Sequence, residues 1–255
     1  YNEATCVELS NGDIMLNMRS PGGGGARTPN RGTAVLAEGG TKYKEGTSRF
    51  IPELPCPSCQ GGTVRLTAPK NGKPGIILFA GPNSTSGRVR ATLFASYDDG
   101  KTWQDIGDLE GADAMGWAAS GDTLLAGGHP GLYRSTDDGA TFEQLSGTSA
   151  VPDVHALGGA GDVVYLASTQ AGVLASTDGG TTWEVRNADA GQSFMGTILV
   201  DPENTDRLIA PDMSGALATS SDGGRTWSTL GGPEGAMAAA WNPQNTDEII
   251  AAGMQ

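Results

Sequence analysis

Short apolar and β-branched runs recur along the chain, among them Arg90–Ala95, Thr123–Ala126, Gly131–Arg134, Val163–Ala167, Gly172–Ala175, Arg207–Ala210 and Gly215–Thr219. Asp-Gly, Gly-Gly and Asn-Pro dipeptides punctuate them, the signature of strands joined by tight turns. No long stretch spaces its apolar positions at the 3.6-residue period of an amphipathic helix. One phrase closes four of the runs. It reads Ser96-Tyr-Asp98-Asp-Gly100-Lys-Thr102-Trp103, then Ser135-Thr-Asp137-Asp-Gly139-Ala-Thr141-Phe142. It returns as Ser176-Thr-Asp178-Gly-Gly180-Thr-Thr182-Trp183 and as Ser220-Ser-Asp222-Gly-Gly224-Arg-Thr226-Trp227. From Asp to Asp the steps are 39, 41 and 44 residues. The phrase encodes a hairpin: Asp accepts hydrogen bonds from turn N–H groups, and Gly supplies positive φ. The aromatic residue then opens the next strand. About four short strands per unit of roughly 41 residues is the pattern of a propeller blade. The chain is predicted to be an all-β protein, a β-propeller.

A worn fifth copy, Leu36-Ala-Glu38-Gly-Gly40-Thr-Lys42-Tyr43, precedes Asp98 by 60 residues. Five copies give five blades, and after Trp227 two further strands fit, Met237–Trp241 and Glu248–Ala252. Roughly 22 strands are expected in all, hence about five to six four-stranded blades in a single domain spanning residues 1–255.

Composition narrows the chemistry. Of 255 residues 40 are Gly, 37% are hydrophobic and 18% are charged, a balance that suits a turn-rich folded chain rather than a disordered one. With 16 basic against 29 acidic residues the formal charge is −13, so phosphate backbones are poor partners and nucleic acid is not expected. No run approaches the ~18 apolar residues of a membrane helix. Cys6, Cys56 and Cys59 form an odd set, and the lone Cys56-Pro-Ser-Cys59 lacks the second pair of a structural zinc site. They are expected to be small buried residues or to form one bridge. His129 and His155 are expected to stand too far apart, without a carboxylate cluster, for a metal site. No metal or cofactor is therefore anticipated. The sequence opens on Tyr1 with no basic-then-apolar leader, as in a chain whose signal has been removed or a piece of a longer one.

The repeated phrase resembles the Asp-box (BNR repeat) of sialidase-type propellers, where its residues stabilise hairpins at the blade periphery. Asp98, Asp137, Asp178 and Asp222 are therefore assigned structural roles. The N-terminal part carries a more specific resemblance to bacterial exo-sialidases. It rests on Tyr1-Asn2-Glu3 followed by Val7–Arg19, on Leu54–Gly62, and on Gly81-Pro-Asn-Ser-Thr-Ser-Gly87-Arg88 ahead of the first full box. In that family three arginines grip the sialic-acid carboxylate through bidentate guanidinium forks. A glutamate there acts as base towards a tyrosine nucleophile, an exception to the two-carboxylate scheme of glycosidases. The resemblance implies that Arg19 and Arg88 are the second and third arginines and that Glu3 is the base. The first arginine and the acid aspartate would map before Tyr1. Where the nucleophile is expected, downstream of Trp103, the chain has Trp117, with Asp113 the nearest acid.

Residues 111–255 resemble other Asp-box proteins, including sortilin-type domains and photosystem assembly factors, through Gly127–Ser135 and Asp201–Leu208. A seam between sialidase-like blades (1–110) and BNR-like blades (111–255) is expected near residues 103–115. The implied activity is that of an exo-α-sialidase, secreted or in the cell envelope, with a sialylated glycan as partner. Two alternatives stay open: a non-catalytic propeller binding a glycan or protein, and a recombined scaffold.

Overall fold

The computed structural model describes residues 2–20, 29–37, 39–56, 59, 61–67, 69–87, 89–109, 113–137, 139, 141–146, 151, 153–242 and 245–253. The chain divides into two compact units, Tyr1–Asp113 and Ala114–Gln255. In the first unit, β1 (Asn2–Glu8), β2 (Ile14–Arg19), β3 (Asn30–Ala37) and β4 (Lys42–Tyr43) follow one another across a sheet. A further strand, β5 (Arg49–Pro55), also pairs with β3. The second sheet runs β6 (Gly62–Thr67), β7 (Ile76–Pro82), β8 (Ala91–Ser96), β9 (Gln104–Leu109).

The second unit repeats the plan. Its first sheet is β10 (Asp113–Ser120), β11 (Thr123–His129), β12 (Gly131–Ser135), β13 (Glu143–Gln144). Next come β14 (Ala156–Ala160), β15 (Val163–Ser168), β16 (Gly172–Ser176) and β17 (Glu184–Asn187), with β18 (Gly196–Thr197) parallel to β14. The last four-stranded sheet is β19 (Leu199–Val200), β20 (Leu208–Pro211), β21 (Leu217–Ser220), β22 (Ser228–Leu230). A hairpin, β23 (Ala236–Asn242) and β24 (Asn245–Gly253), follows. Five four-stranded meanders make the blades of a β-propeller, and the described residues contain no helix.

Packing explains the apolar runs. Middle strands are covered on both faces, so β8 and β16 are buried at every position, while β4 and β13 at the outer edges are exposed. Within each unit, apolar clusters fill the space between successive sheets. Ile51, Leu54, Phe79, Phe94 and Trp103 form the core of the first unit. Leu125, Leu132, Val154 and Leu157 join the third and fourth blades, and Tyr165, Val173, Phe194 and Leu208 join the fourth and fifth. At Gly158 the approach is closest, because a Cβ there would lie 1.7 Å from the Ile198 carbonyl oxygen. Only a residue without a side chain lets that inner strand pass.

The repeated phrase forms one turn four times. Ser176 Oγ, 2% exposed, donates to Asp178 Oδ1 at 2.8 Å and accepts from Gly180 N–H at 2.9 Å. Asp178 in turn accepts from Thr182 N–H at 2.9 Å and Thr182 Oγ1 at 2.7 Å. Gly180 carries the positive φ of 82° that closes the turn. Asp98, Asp137 and Asp222 repeat these contacts with Thr102, Thr141 and Thr226. The hydroxyl and N–H of the turn threonine hold Asp137, Asp178 and Asp222 down to about 2. At Asp98 burial opposes the same bonds and is outweighed, so its pKa is lowered too. All four aspartates accept hydrogen bonds within their own turn. The worn copy at Glu38 lies outside the described residues.

Candidate functional site

In an antiparallel blade the first strand begins, and the second ends, at one edge of the sheet. The repeated turn joins the third and fourth strands at the opposite edge. Glu3 near the start of β1 and Arg19 at the end of β2 therefore share the edge remote from the turn. Their ladder pairs Asn2 with Arg19 and Ala4 with Met18, so Glu3 is the extra residue of an irregularity. Such bulges re-aim side chains and gather beside active sites. Arg19 is partly buried there. Arg88 lies outside the described residues. Trp117 is buried in β10 and meets Phe142 edge-on, with ring centroids 5.6 Å apart.

A second charged centre was not anticipated. Arg31, on β3, is fully buried. Its Nε donates to Asn17 Oδ1 at 2.7 Å and its Nη1 to the Cys59 carbonyl at 2.9 Å, and its guanidinium lies 5.3 Å from the Phe79 ring centre. Nη1 also reaches Cys56 Sγ at 3.7 Å. Cys56 and Cys59 are buried, as expected, with free thiols whose sulfurs stand 3.9 Å apart. The Cys59 thiol holds Cys56 down to about 5; burial opposes this and the Arg31 charge assists it. The Cys-X-X-Cys spacing signalled the thiol pair, but nothing in the sequence marked Arg31 as its cation.

The expectation that His129 and His155 stand apart is overturned. His129 closes β11 and His155 immediately precedes β14, so the step from the third blade to the fourth brings them together. Their Nε2 atoms are 3.0 Å apart, and Asp153 Oδ1 lies 3.0 Å from one and 2.9 Å from the other. A carboxylate that the sequence reading left out thus completes a three-residue cluster. It occupies the first-strand-start, second-strand-end edge of its blades, the type of edge that carries Glu3 and Arg19 in the first. A separate cleft of about 540 Å³, lined by Ser10, Lys70, Lys73, Asp99 and Lys101, opens at the turn edge of the first unit. Asp98 of the repeated phrase is among its lining residues.

No protein-family model matches the chain. It is 31% identical over 148 residues to a sialidase of Bacteroides fragilis (strain YCH46), a match covering 56% of this chain and 26% of that protein. It is 33% identical over 105 residues to a sialidase of Micromonospora viridifaciens, covering 40% of this chain and 15% of the relative. The matched region is thus a minor part of either sialidase. Among solved structures, the α-L-arabinofuranosidase Arb93A of Fusarium graminearum, in complex with an iminosugar inhibitor, superposes with a TM-score of 0.66. That match has 13% identity and covers 99% of this chain and 87% of that one. A chain of a nidogen/laminin complex gives 0.66 at 12% identity, covering 95% and 86%. At these identities the structural likeness establishes the fold. With the five-bladed topology it makes this chain a β-propeller, one that is similar over part of its length to sialidases.

Proposed function

We propose that this chain works as an exo-α-sialidase-type module, taking the carboxylate of a terminal sialic acid at the Glu3–Arg19 edge of its first blade. The observation that carries the reading is the β1–β2 ladder, which sets Asn2 opposite Arg19 with Glu3 at the bulge beside them. The sialidase matches support it. A guanidinium at Arg19, joined by Arg88, offers the planar fork that a sugar carboxylate requires. Glu3 would take a proton from a neutral nucleophile, which the substrate's own negative charge does not repel. A second reading, recognition without hydrolysis, is favoured by Trp117. Indole holds no nucleophilic oxygen, and this one is committed to packing on Phe142.

The test is turnover of a fluorogenic sialoside by the folded chain, run beside Arg19→Ala and Glu3→Gln, with binding of free sialic acid followed by NMR. Hydrolysis that Glu3→Gln abolishes, with kcat/KM about 10–100-fold lower in Arg19→Ala, is the expected outcome. Binding without turnover, lost in Arg19→Ala, selects the second reading. Turnover untouched by both substitutions, or neither turnover nor binding, overturns the assignment.

A further inference from the structure

We propose that His129, Asp153 and His155 form a binding site for a divalent transition-metal ion, of the zinc, iron(II) or cobalt(II) class, in the second unit. The three ligand atoms form a nearly equilateral triangle with edges of 2.9, 3.0 and 3.0 Å. Metal–ligand bonds near 2.1 Å set at right angles place neighbouring ligand atoms about 3.0 Å apart, and a tetrahedral angle places them about 3.4 Å apart. The triangle is therefore the face of an octahedron, the two-histidine, one-carboxylate arrangement that leaves open positions opposite.

Hydrogen bonding alone does not account for the convergence. Asp153 Oδ1 is buried without a hydrogen-bond partner, although both ring nitrogens lie within 3.0 Å of it. Each Nε2 carries at most one proton, so hydrogen bonds around an ionised Asp153 serve at most two edges of the triangle and leave the third repulsive. A cation in the centre serves all three atoms.

The surroundings fix the ligands in advance. Asp153 is 7% exposed, and its second oxygen accepts a hydrogen bond from Thr169 Oγ1. His155 is held on both sides of its backbone, its N–H on the Ala167 carbonyl at 2.9 Å and its carbonyl on Gly196 N–H at 2.8 Å. Val154, between the two ligands, is fully buried and its N–H donates to the Gly128 carbonyl, next to His129. The His129 ring is half exposed, so the open positions face solvent and can take water or an oxygen-donor ligand. An ion here would also tie the end of β11 to the start of β14.

The experiment uses the full, tag-free chain, stripped with chelator and titrated calorimetrically with zinc and, separately, cobalt(II). Bound metal is counted by mass spectrometry, and the visible spectrum of bound cobalt reports its geometry. One ion per chain is expected, with histidine-type cobalt bands of low, octahedral intensity. His129→Gln, at an exposed position, and Asp153→Asn should abolish uptake while the metal-free melting temperature of His129→Gln stays that of the parent. Thr169→Val should weaken binding about 10–100-fold, as loss of an outer-shell partner does. Cys56→Ser should change nothing. Absence of uptake by the folded chain overturns the proposal. So does uptake that survives His129→Gln and Asp153→Asn, or that disappears with Cys56→Ser.

Discussion

At the scale of single residues, what the sequence hid is what long-range contacts create. Arg31 meets Asn17, Cys59 and Phe79, partners 14, 28 and 48 positions away, and no local pattern announces a cation that only folding buries. His129 and His155 are 26 positions apart and were expected to stay separate, yet the step between blades closes that gap. Glu3 and Arg19 were singled out through the resemblance of their flanking residues, and the ladder between β1 and β2 sets Asn2, next to Glu3, opposite Arg19. The Arg31 centre makes a test of its own. A buried guanidinium whose partners include a thiolate cannot be removed without leaving charge and carbonyl unpaired. Arg31→Met should destabilise the fold by about 3–5 kcal/mol in urea unfolding. It should also move the Cys56 titration, followed by thiolate ultraviolet absorbance, upward from about 5 towards the ordinary 9.0. An unmoved titration would show that the Cys59 hydrogen bond alone holds the thiolate.

At the scale of elements, strands and turns were legible because each obeys a local rule. The middle strands read as continuous apolar runs since sheets cover both of their faces, and the turns read as a phrase since three side chains, of Ser, Asp and Thr, make fixed bonds. The hydroxyl at the start of the phrase is the most deeply placed of these groups. Ser176 Oγ is the partner of the buried Gly180 N–H, and a methyl group in its place leaves that N–H unsatisfied. Ser176→Ala is expected to cost about 1–3 kcal/mol, the penalty of an orphaned buried donor. Chemical denaturation with an unchanged slope would measure it. A loss below about 0.5 kcal/mol would mean that water reaches the turn and replaces the serine.

At the scale of the whole molecule, the repeat spacing implied about five to six blades. The described residues contain five four-stranded blades, two of them with an added strand (β5 and β18), and a hairpin, 24 strands where roughly 22 were expected. The repeat matters energetically because the same carboxylate contact recurs in blade after blade and titrates together. Asp137, Asp178 and Asp222 are held at about 2, below the 3.8 of a free aspartate, so the folded state binds fewer protons than the unfolded chain between those values. Their contribution is complete above about pH 4 and is lost as pH falls through about 2. Net charge acts in the same direction there. The chain carries −13 at neutrality, but with every carboxylate protonated its 16 Lys and Arg and 2 His repel one another. Melting temperature should therefore fall steeply below pH 4. Asp222→Asn separates the two causes. It keeps the shape of the turn but removes one titrating charge, so it should melt below the parent at pH 7 and converge with it near pH 2. A gap that stays constant across that range would assign the loss to amide geometry, and the acid sensitivity of the propeller to net charge alone.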